Sequence, residues 1–219
     1  IWENYEMVSL DGNLGGHQGE WIHDRFTQFA LDFIKKNSSS PFFLYAAYTI
    51  PHGRYEIRSS EPYSSKPWPR DIKNYAAMVT RMDSDVGKIL ALLKELDIDE
   101  KTIVFFTSDN GGMLNRGGQA AWKAGHHMNA DLLGFKFDAW EGGHRVPFIV
   151  RWPGKVPAGA KVSLLDFETD DGMEYWIGLD NFYAIMRYNP RTKYAMAVFQ
   201  LSEAIRERYV QAGAVPSAG

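Results

Sequence analysis

The 219-residue chain has no cysteine, which excludes disulfides and thiolate metal sites while leaving the redox compartment open. It also has no lysine- or arginine-rich run, and 27 acidic residues outnumber 24 basic ones for a net charge of −3. That balance argues against a nucleic-acid binder with a broad basic face. No apolar stretch approaches the roughly 20 residues needed to span a bilayer. The chain opens on Ile1 without a basic-then-apolar leader, so its start reads as an internal cut with any export signal upstream. What it does have is 45% apolar residues, 14% of the total being aromatic. That is enough to bury the core of one α/β domain, or of one domain with an appendage.

Residues 1–20 are polar and glycine-rich and read as a surface loop. From Asp24, Phe26, Phe29, Ala30, Phe33 and Ile34 recur at helical spacing until Asn37-Ser38-Ser39-Ser40-Pro41 stops the pattern. Phe42 to Tyr48 reads as a buried strand, followed by a proline-rich loop to about Pro69. A long amphipathic helix is expected from Asp71, with Tyr75, Met78, Val79, Met82, Val86, Ile89, Leu90 and Leu93 on its core face. The run Thr102 to Thr107 is continuous, apolar and β-branched or aromatic, as in a fully buried strand of a parallel sheet. A glycine-rich loop over 112–134 and a short strand, Val146 to Trp152, follow. Strand, helix, strand and strand in this order imply an α/β fold with a parallel sheet flanked by helices.

Three polar motifs lie at or beside strands: Pro51-His52, then Ser108-Asp109-Asn110-Gly111-Gly112, then Lys136 with Glu141-Gly142-Gly143-His144-Arg145. Asp109 and Asn110 offer two hard oxygen ligands at the carboxyl end of a core strand, where ligands bind in open α/β sheets. Such a pair is also a common plain turn. A histidine and a lysine beside a bound cation can bind or protonate an anionic group, which suits hydrolysis of a charged ester. The Glu141–Arg145 segment reads as architectural, its glycines shaping a turn and Arg145 pairing with a buried acid. His23 and Asp24 read as a helix start.

Up to about residue 163 the sequence resembles the C-terminal catalytic half of the arylsulfatases. The resemblance rests on His23-Asp24-Arg25-Phe26-Thr27, on Pro41-Phe42-Phe43-Leu44-Tyr45 with Pro51-His52, and on the segment Met78 to Gly87. It continues through Phe106 to Gly112, Gly134-Phe135-Lys136 and Trp140 to Gly154, in the family's order. The resemblance implies a partial alkaline-phosphatase-like sheet. It assigns Asp109 and Asn110 to a divalent metal, Ca²⁺ with Mg²⁺ as the alternative, and gives His52 and Lys136 catalytic contacts with the sulfate. His126, His127 and Asn129 fall in the loop that faces substrate, although Leu133 replaces the family's usual arginine there. A sulfated small molecule or glycan and a periplasmic or extracellular setting are the implied partner and location.

The departures are as informative. Sulfatases use a formylglycine made from the first residue of a Cys/Ser-x-Pro-x-Arg motif, near an Asp-Asp metal pair. Here cysteine is absent, Ser39-Ser40-Pro41 and Ser60-Glu61-Pro62 lack the arginine, and Asp170-Asp171 lies in the tail. A metal left with two ligands is under-coordinated, so the chain is not expected to turn over sulfate esters by itself. Residues 1–163 thus read as a sulfatase catalytic domain lacking its N-terminal half.

Residues 164–219 read as a short, mostly helical tail, nondescript to about 174, helix-like from Tyr194 to Tyr209, and frayed from Gln211. About residues 172–209 are similar to the C-terminal end of the membrane-bound lytic murein transglycosylase B family, without its catalytic glutamate. A joining artefact or a functional fusion would each produce this juxtaposition. Two other functions stay open. One is phosphate or phosphonate ester hydrolysis within the same superfamily. The other is non-catalytic glycan, specifically peptidoglycan, binding through Tyr175, Trp176, Phe182 and Tyr183, which read equally as a small satellite core.

Overall fold

Two long helices joined by a buried carboxylate organise most of the chain. The computed structural model describes residues 1–114, 116–169, 172–179, 182, 186 and 191–211. Contacts divide it into two units, Ile1–Trp152 and Pro153–Gly219. In unit 1, a two-residue hairpin of β1 (Trp2–Glu3) and β2 (Glu6–Met7) and a 3₁₀ segment precede α1 (Ile22–Asn37) and α2 (Arg70–Glu95). Then come β3 (Val104–Thr107), α3 (Arg116–Lys123), α4 (Glu141–His144) and β4 (Phe148–Arg151).

α1 buries His23, Thr27, Ala30 and Ile34, a stripe one helical turn apart. It ends where Asn37 Nδ2 and Ser38 Oγ turn back to donate to the carbonyls of Phe33 and Lys35. α2 begins on Pro69, whose carbonyl accepts from Ile72 and Lys73. Ile34, Leu92 and Leu93 form the centre of the core, with Leu31, Phe42, Leu44, Ile89, Ile98 and Val104 packed around them. Burying each such side chain stabilises the fold by about 1.5–3 kcal/mol.

The upper part of the α1–α2 interface is polar. Asp85 and His23 have side chains with 0% exposure, and His23 Nε2 stands 2.9 Å from Asp85 Oδ2. Thr27 Oγ1 donates to the same oxygen at 3.1 Å, as does Arg81 Nε at 2.8 Å, while Lys88 Nζ reaches Oδ1 at 2.6 Å. Arg81 also pairs with Asp24 at 2.8 Å. Burial alone would raise the Asp85 carboxyl, but the hydrogen bonds from Lys88 and Arg81 hold it below its ordinary value. Burial pushes the His23 imidazole down, against the pull of Asp85. The neutral ring therefore donates from Nε2, and its Nδ1 is buried without a partner. His23 and Asp24 lie in the first turn of α1, at the expected helix start, and Trp21 holds the cap position without a side-chain cap bond.

The sheet differs from expectation. β3 pairs with β4 antiparallel, Val104 opposite Arg151 and Thr107 opposite Phe148. No parallel neighbour for β3 exists among the described residues. The sequence pattern records a strand made for burial on both sides, yet here β3 alternates half-buried and exposed. Phe42 to Tyr48 is likewise extended but pairs with no strand among the described residues. Its Phe42 and Leu44 face the core while Phe43 and Tyr45 are 86% and 80% exposed. The end of β4 is secured by Arg151, which forks onto Asp99 at 2.6 and 2.8 Å. That guanidinium holds the Asp99 carboxyl below its usual range.

Among the described residues, unit 2 carries strand as well as the expected helix. The stretch that reads as nondescript forms a hairpin of β5 (Ser163–Thr169) and β6 (Gly172–Gly178), followed by α5 (Thr192–Gln211). Leu165, Phe167, Phe182, Ala195 and Met196 make its core, with Trp176, Met186 and Phe199 against it. Asp170, Asp171, Tyr183 and residues 212–219 lie outside the described residues.

The Asp85 cluster has a measurable consequence. Replacing Asp85 with Ala strands buried donors and is expected to cost about 3–5 kcal/mol in urea unfolding. Since folded His23 binds a proton less readily than the unfolded residue, the stability it confers is full above about pH 6.5 and falls as the pH drops through that value. Asp85 adds a second loss below about pH 4. His23→Gln should flatten the first phase; an unchanged slope between pH 7 and 5.5 would contradict the assignment.

Candidate active site

β3 delivers Ser108-Asp109-Asn110 to the carboxyl end of the strand, and two glycines then carry the chain into a close backbone junction. Ser108 Oγ donates to the Asn110 carbonyl at 3.1 Å, and Asn110 Nδ2 donates to the Gly111 carbonyl at 2.9 Å. That engages the amide nitrogen, and Oδ1 is the Asn110 atom chemically suited to a cation beside the exposed Asp109 carboxylate. Gly111 N–H donates to the Gly143 carbonyl at 3.0 Å. A Cβ on Gly111 would lie 1.8 Å from the Gly142 carbonyl oxygen, and one on Gly142 would lie 2.1 Å from that of Gly134. Only glycine permits three backbones to meet this closely. The Glu141–Arg145 glycines therefore serve as architecture. Arg145, expected to pair with a buried acid, instead reaches Glu141 Oε2 at 3.1 Å on the surface.

Asn129 closes the junction. Its Oδ1 accepts from Gly112 N–H at 2.7 Å, while its Nδ2 donates to the Gly134 carbonyl at 2.9 Å and, more weakly, to that of Gly112 at 3.4 Å. The Gly112 carbonyl in turn accepts from Lys136 N–H at 2.8 Å. The loop segments that carry Asn129 and Lys136 thus meet the chain at Gly112, just beyond Asp109 and Asn110. No hydrogen bond or ion pair joins the Lys136 side chain to Asp109 or Asn110 among the described residues. The Lys136 ammonium lies over the Phe137 ring, 5.4 Å from its centre.

The three histidines are placed otherwise. His52 is exposed, with Nδ1 2.6 Å from the Gly53 carbonyl. A carbonyl accepts only, so Nδ1 carries a proton and Nε2 is the atom presented outward. His126 lies beside Tyr75 of α2, rings 6.1 Å apart, and His127 stacks flat on Trp122 at 4.0 Å. Tyr55, three residues beyond His52, packs on Tyr75 and approaches Gly117 of α3. No hydrogen bond or ion pair joins His52 to Asp109, Asn110 or Lys136 among the described residues.

Among the described residues, no three His, Cys, Asp or Glu side chains gather into a metal-holding group. Asp109 and Asn110 supply two oxygens of the right chemistry where Ca²⁺ takes six to eight. The residues present therefore do not complete a calcium site.

The clamp role of Asn129 was not legible as such from sequence. The glycines around it were the available signal, because contacts this tight need a side chain to tie them. Asn129→Ala leaves the Gly112 N–H and Gly134 carbonyl unpaired and is expected to cost about 1–3 kcal/mol. Amide exchange at Gly112 and Lys136 should accelerate together, with Asn129→Asp intermediate. Protection at Lys136 unchanged in Asn129→Ala would contradict the clamp.

Comparisons with known proteins agree on one family. Residues 3–173 match the Sulfatase family. The chain is 41% identical to the N-acetylgalactosamine-6-sulfatase of Canis lupus familiaris over 142 residues, 61% of this chain and 24% of that protein. It is 35% identical to the steryl-sulfatase of Homo sapiens over 164 residues, 74% of this chain and 26% of that one. The crystal structure of Ps i-CgsB in complex with k-i-k-neocarrahexaose matches with a TM-score of 0.56 at 34% identity, covering 67% of this chain and 32% of that one. The chain spans about a quarter of the length of the curated relatives it matches. The family match over residues 3–173 is the basis for the assignment: the chain belongs to the sulfatase family.

Proposed function

We infer that the Asp109–Lys136 junction belongs to a site for metal-assisted hydrolysis of sulfate monoesters, of which residues 1–219 carry part. The observation that supports this most is the junction at Gly112, where the backbone of Lys136 hydrogen-bonds two residues beyond Asn110. A divalent ion, Ca²⁺ by resemblance, would neutralise charge on the transferred group when bound. In this chain, Asp109 and Asn110 offer two of its oxygen ligands. Lys136 compensates the charge of the sulfate. His52, protonated at Nδ1, uses Nε2 toward the leaving-group oxygen. His126 and His127 border the substrate, and Asn129 contributes by fixing the loop on which Lys136 sits.

The substrate is a sulfated small molecule or glycan in a secreted or periplasmic setting. Two of the relatives are sulfatases of N-acetylgalactosamine-6-sulfate and of a steryl sulfate by name, so the family accommodates both. No Cys/Ser-x-Pro-x-Arg segment occurs in residues 1–219, and the chain by itself is expected to bind rather than to hydrolyse. Phosphate or phosphonate esters are the competing substrates, since the same lysine and metal ligands suit either tetrahedral anion. Glycan binding by unit 2 is a separate reading, for which Tyr175 is exposed on β6 while Trp176 turns into the unit's core.

A fluorogenic aryl sulfate and the matching aryl phosphate, each with calcium, separate these readings. The chain is expected to hydrolyse neither, to bind the sulfate more tightly, and to lose about tenfold in that binding in Lys136→Ala. Calcium-dependent sulfate hydrolysis abolished by Asp109→Ala would show the site complete and overturn the partial-site reading. Preference for the phosphate would overturn the choice of substrate.

A further inference from the structure

His52 and His126 lie on separate loops that no hydrogen bond connects among the described residues. They are connected instead through Tyr55 and the first turns of α2. Asn74, a buried residue of α2, donates from Nδ2 to the Tyr55 carbonyl at 2.8 Å. That pins the His52 loop three residues past the imidazole. The Tyr55 ring meets Tyr75 edge-on, centroids 5.6 Å apart, and Tyr75 in turn lies 6.1 Å from the His126 ring. His126 is itself fixed at the end of α3, its N–H donating to the Ala121 carbonyl at 2.9 Å. Burial pushes both phenols up, with Asp71 adding to the effect at Tyr55, so the pair is uncharged and joins the loops by packing.

Gly117 completes the joint. It is buried near the start of α3, and its φ lies outside the left-handed region, so backbone freedom is not what calls for a glycine. A glycine also weakens a helix. What it provides here is room: an added Cβ would lie 2.9 Å from Tyr55 Cζ and closer still to Cε2. The Tyr55 ring therefore sits where any other residue at 117 would put its side chain. A methyl group there displaces the ring, which is the side chain free to yield.

We propose that Tyr55 and Gly117 are positioning residues: the ring seated in the glycine notch holds the His52 and His126 loops in one arrangement, so that both histidines meet the same ligand. The proposal rests on the sulfate reading of these histidines and adds what brings them to one anion. The hydrogen bond between His52 and the Gly53 carbonyl orients the imidazole but does not place the loop. Tyr55 places it, and does so against the same helix pair that carries His126. Groups on loops act together only when a supporting contact of this kind locks them.

Gly117→Ala, Tyr55→Ala, Tyr55→Phe and the double variant Tyr55→Ala with Gly117→Ala test this in the 219-residue chain. The readout is the imidazole proton resonances of His52 and His126, with His144 as reference, during titration with an aryl sulfate. In the unsubstituted chain both histidines should follow one binding curve. Gly117→Ala should shift both resonances, weaken binding severalfold and separate the two curves, leaving His144 unmoved. Tyr55→Ala should do the same, whereas Tyr55→Phe, which keeps the ring, should behave as the unsubstituted chain. In the double variant the added methyl has room, so Gly117→Ala should have no effect beyond that of Tyr55→Ala. Should Gly117→Ala fail to fold, Tyr55→Ala carries the same comparison at the two histidines. Effects that add in the double variant, or a His52 resonance and binding curve untouched by both Gly117→Ala and Tyr55→Ala, would overturn the joint and leave the sulfate reading intact. Shifts of both histidines in the variants, with no response of either to the aryl sulfate, would uphold the joint and overturn the sulfate reading.

Discussion

A carboxylate without solvent must be neutralised where it stands, and Asp85 is that group in this chain. Its two oxygens collect His23, Thr27, Arg81 and Lys88. Two of these come from α1 and two from α2, so the contact fixes the rotation and register of one helix on the other. Everything nearer the site depends on that register. The same two helices bury Ile34, Leu92 and Leu93, against which Phe42, Leu44 and Val104 pack. Val104 opens β3, and β3 ends at Thr107, two residues before Asp109. Buried ion clusters are weak sources of net stability but demanding about geometry. Here the cluster defines the arrangement, while the apolar residues below it supply most of the energy.

Beyond β3 the means of support changes from side-chain packing to backbone contact. Gly111, Gly142 and Gly134 approach so closely that no side chain fits between them, and Asn129 stitches the result together. This ties the loop that carries Lys136 to the chain just beyond Asp109 and Asn110. Sites on loops need such support if their groups are to act on one ligand. The histidines are held by other means, His52 by its own neighbouring carbonyl and His127 by a tryptophan ring.

The helices were legible because their apolar residues repeat at helical spacing over many turns, and α1 and α2 lie within a few residues of where the pattern puts them. The strand at 104–107 was legible from its continuous apolar, β-branched and aromatic run; its neighbours were not. A run that is apolar on both sides suits a sheet covered on both faces, and here Phe105 and Phe148 stay partly bare while Phe43 and Tyr45 stand in solvent. Pairing depends on which strands are available, which local sequence does not record. The hairpin of 163–178 was missed because its apolar alternation is short and interrupted by acids. His23 and Asp85 were both inside recognisable family segments, yet 62 positions of separation hid the bond between them.

The site itself divides in the same way. Asp109 and Asn110 stand out by residue type just past a strand end, and the backbone of Lys136 is tied to Gly112 two residues beyond Asn110. The clamp that does so is made of main-chain atoms and one amide, which no pattern of residue types announces. The central claim is the proposal that Asp109 and Asn110 would supply two oxygen ligands of a metal site that this chain carries only in part. Titrating the chain with Ca²⁺ by calorimetry tests it most directly. The account predicts no saturable binding below the millimolar range, since two ligands cannot replace a cation's hydration shell. A micromolar or tighter site that disappears in Asp109→Ala would contradict it.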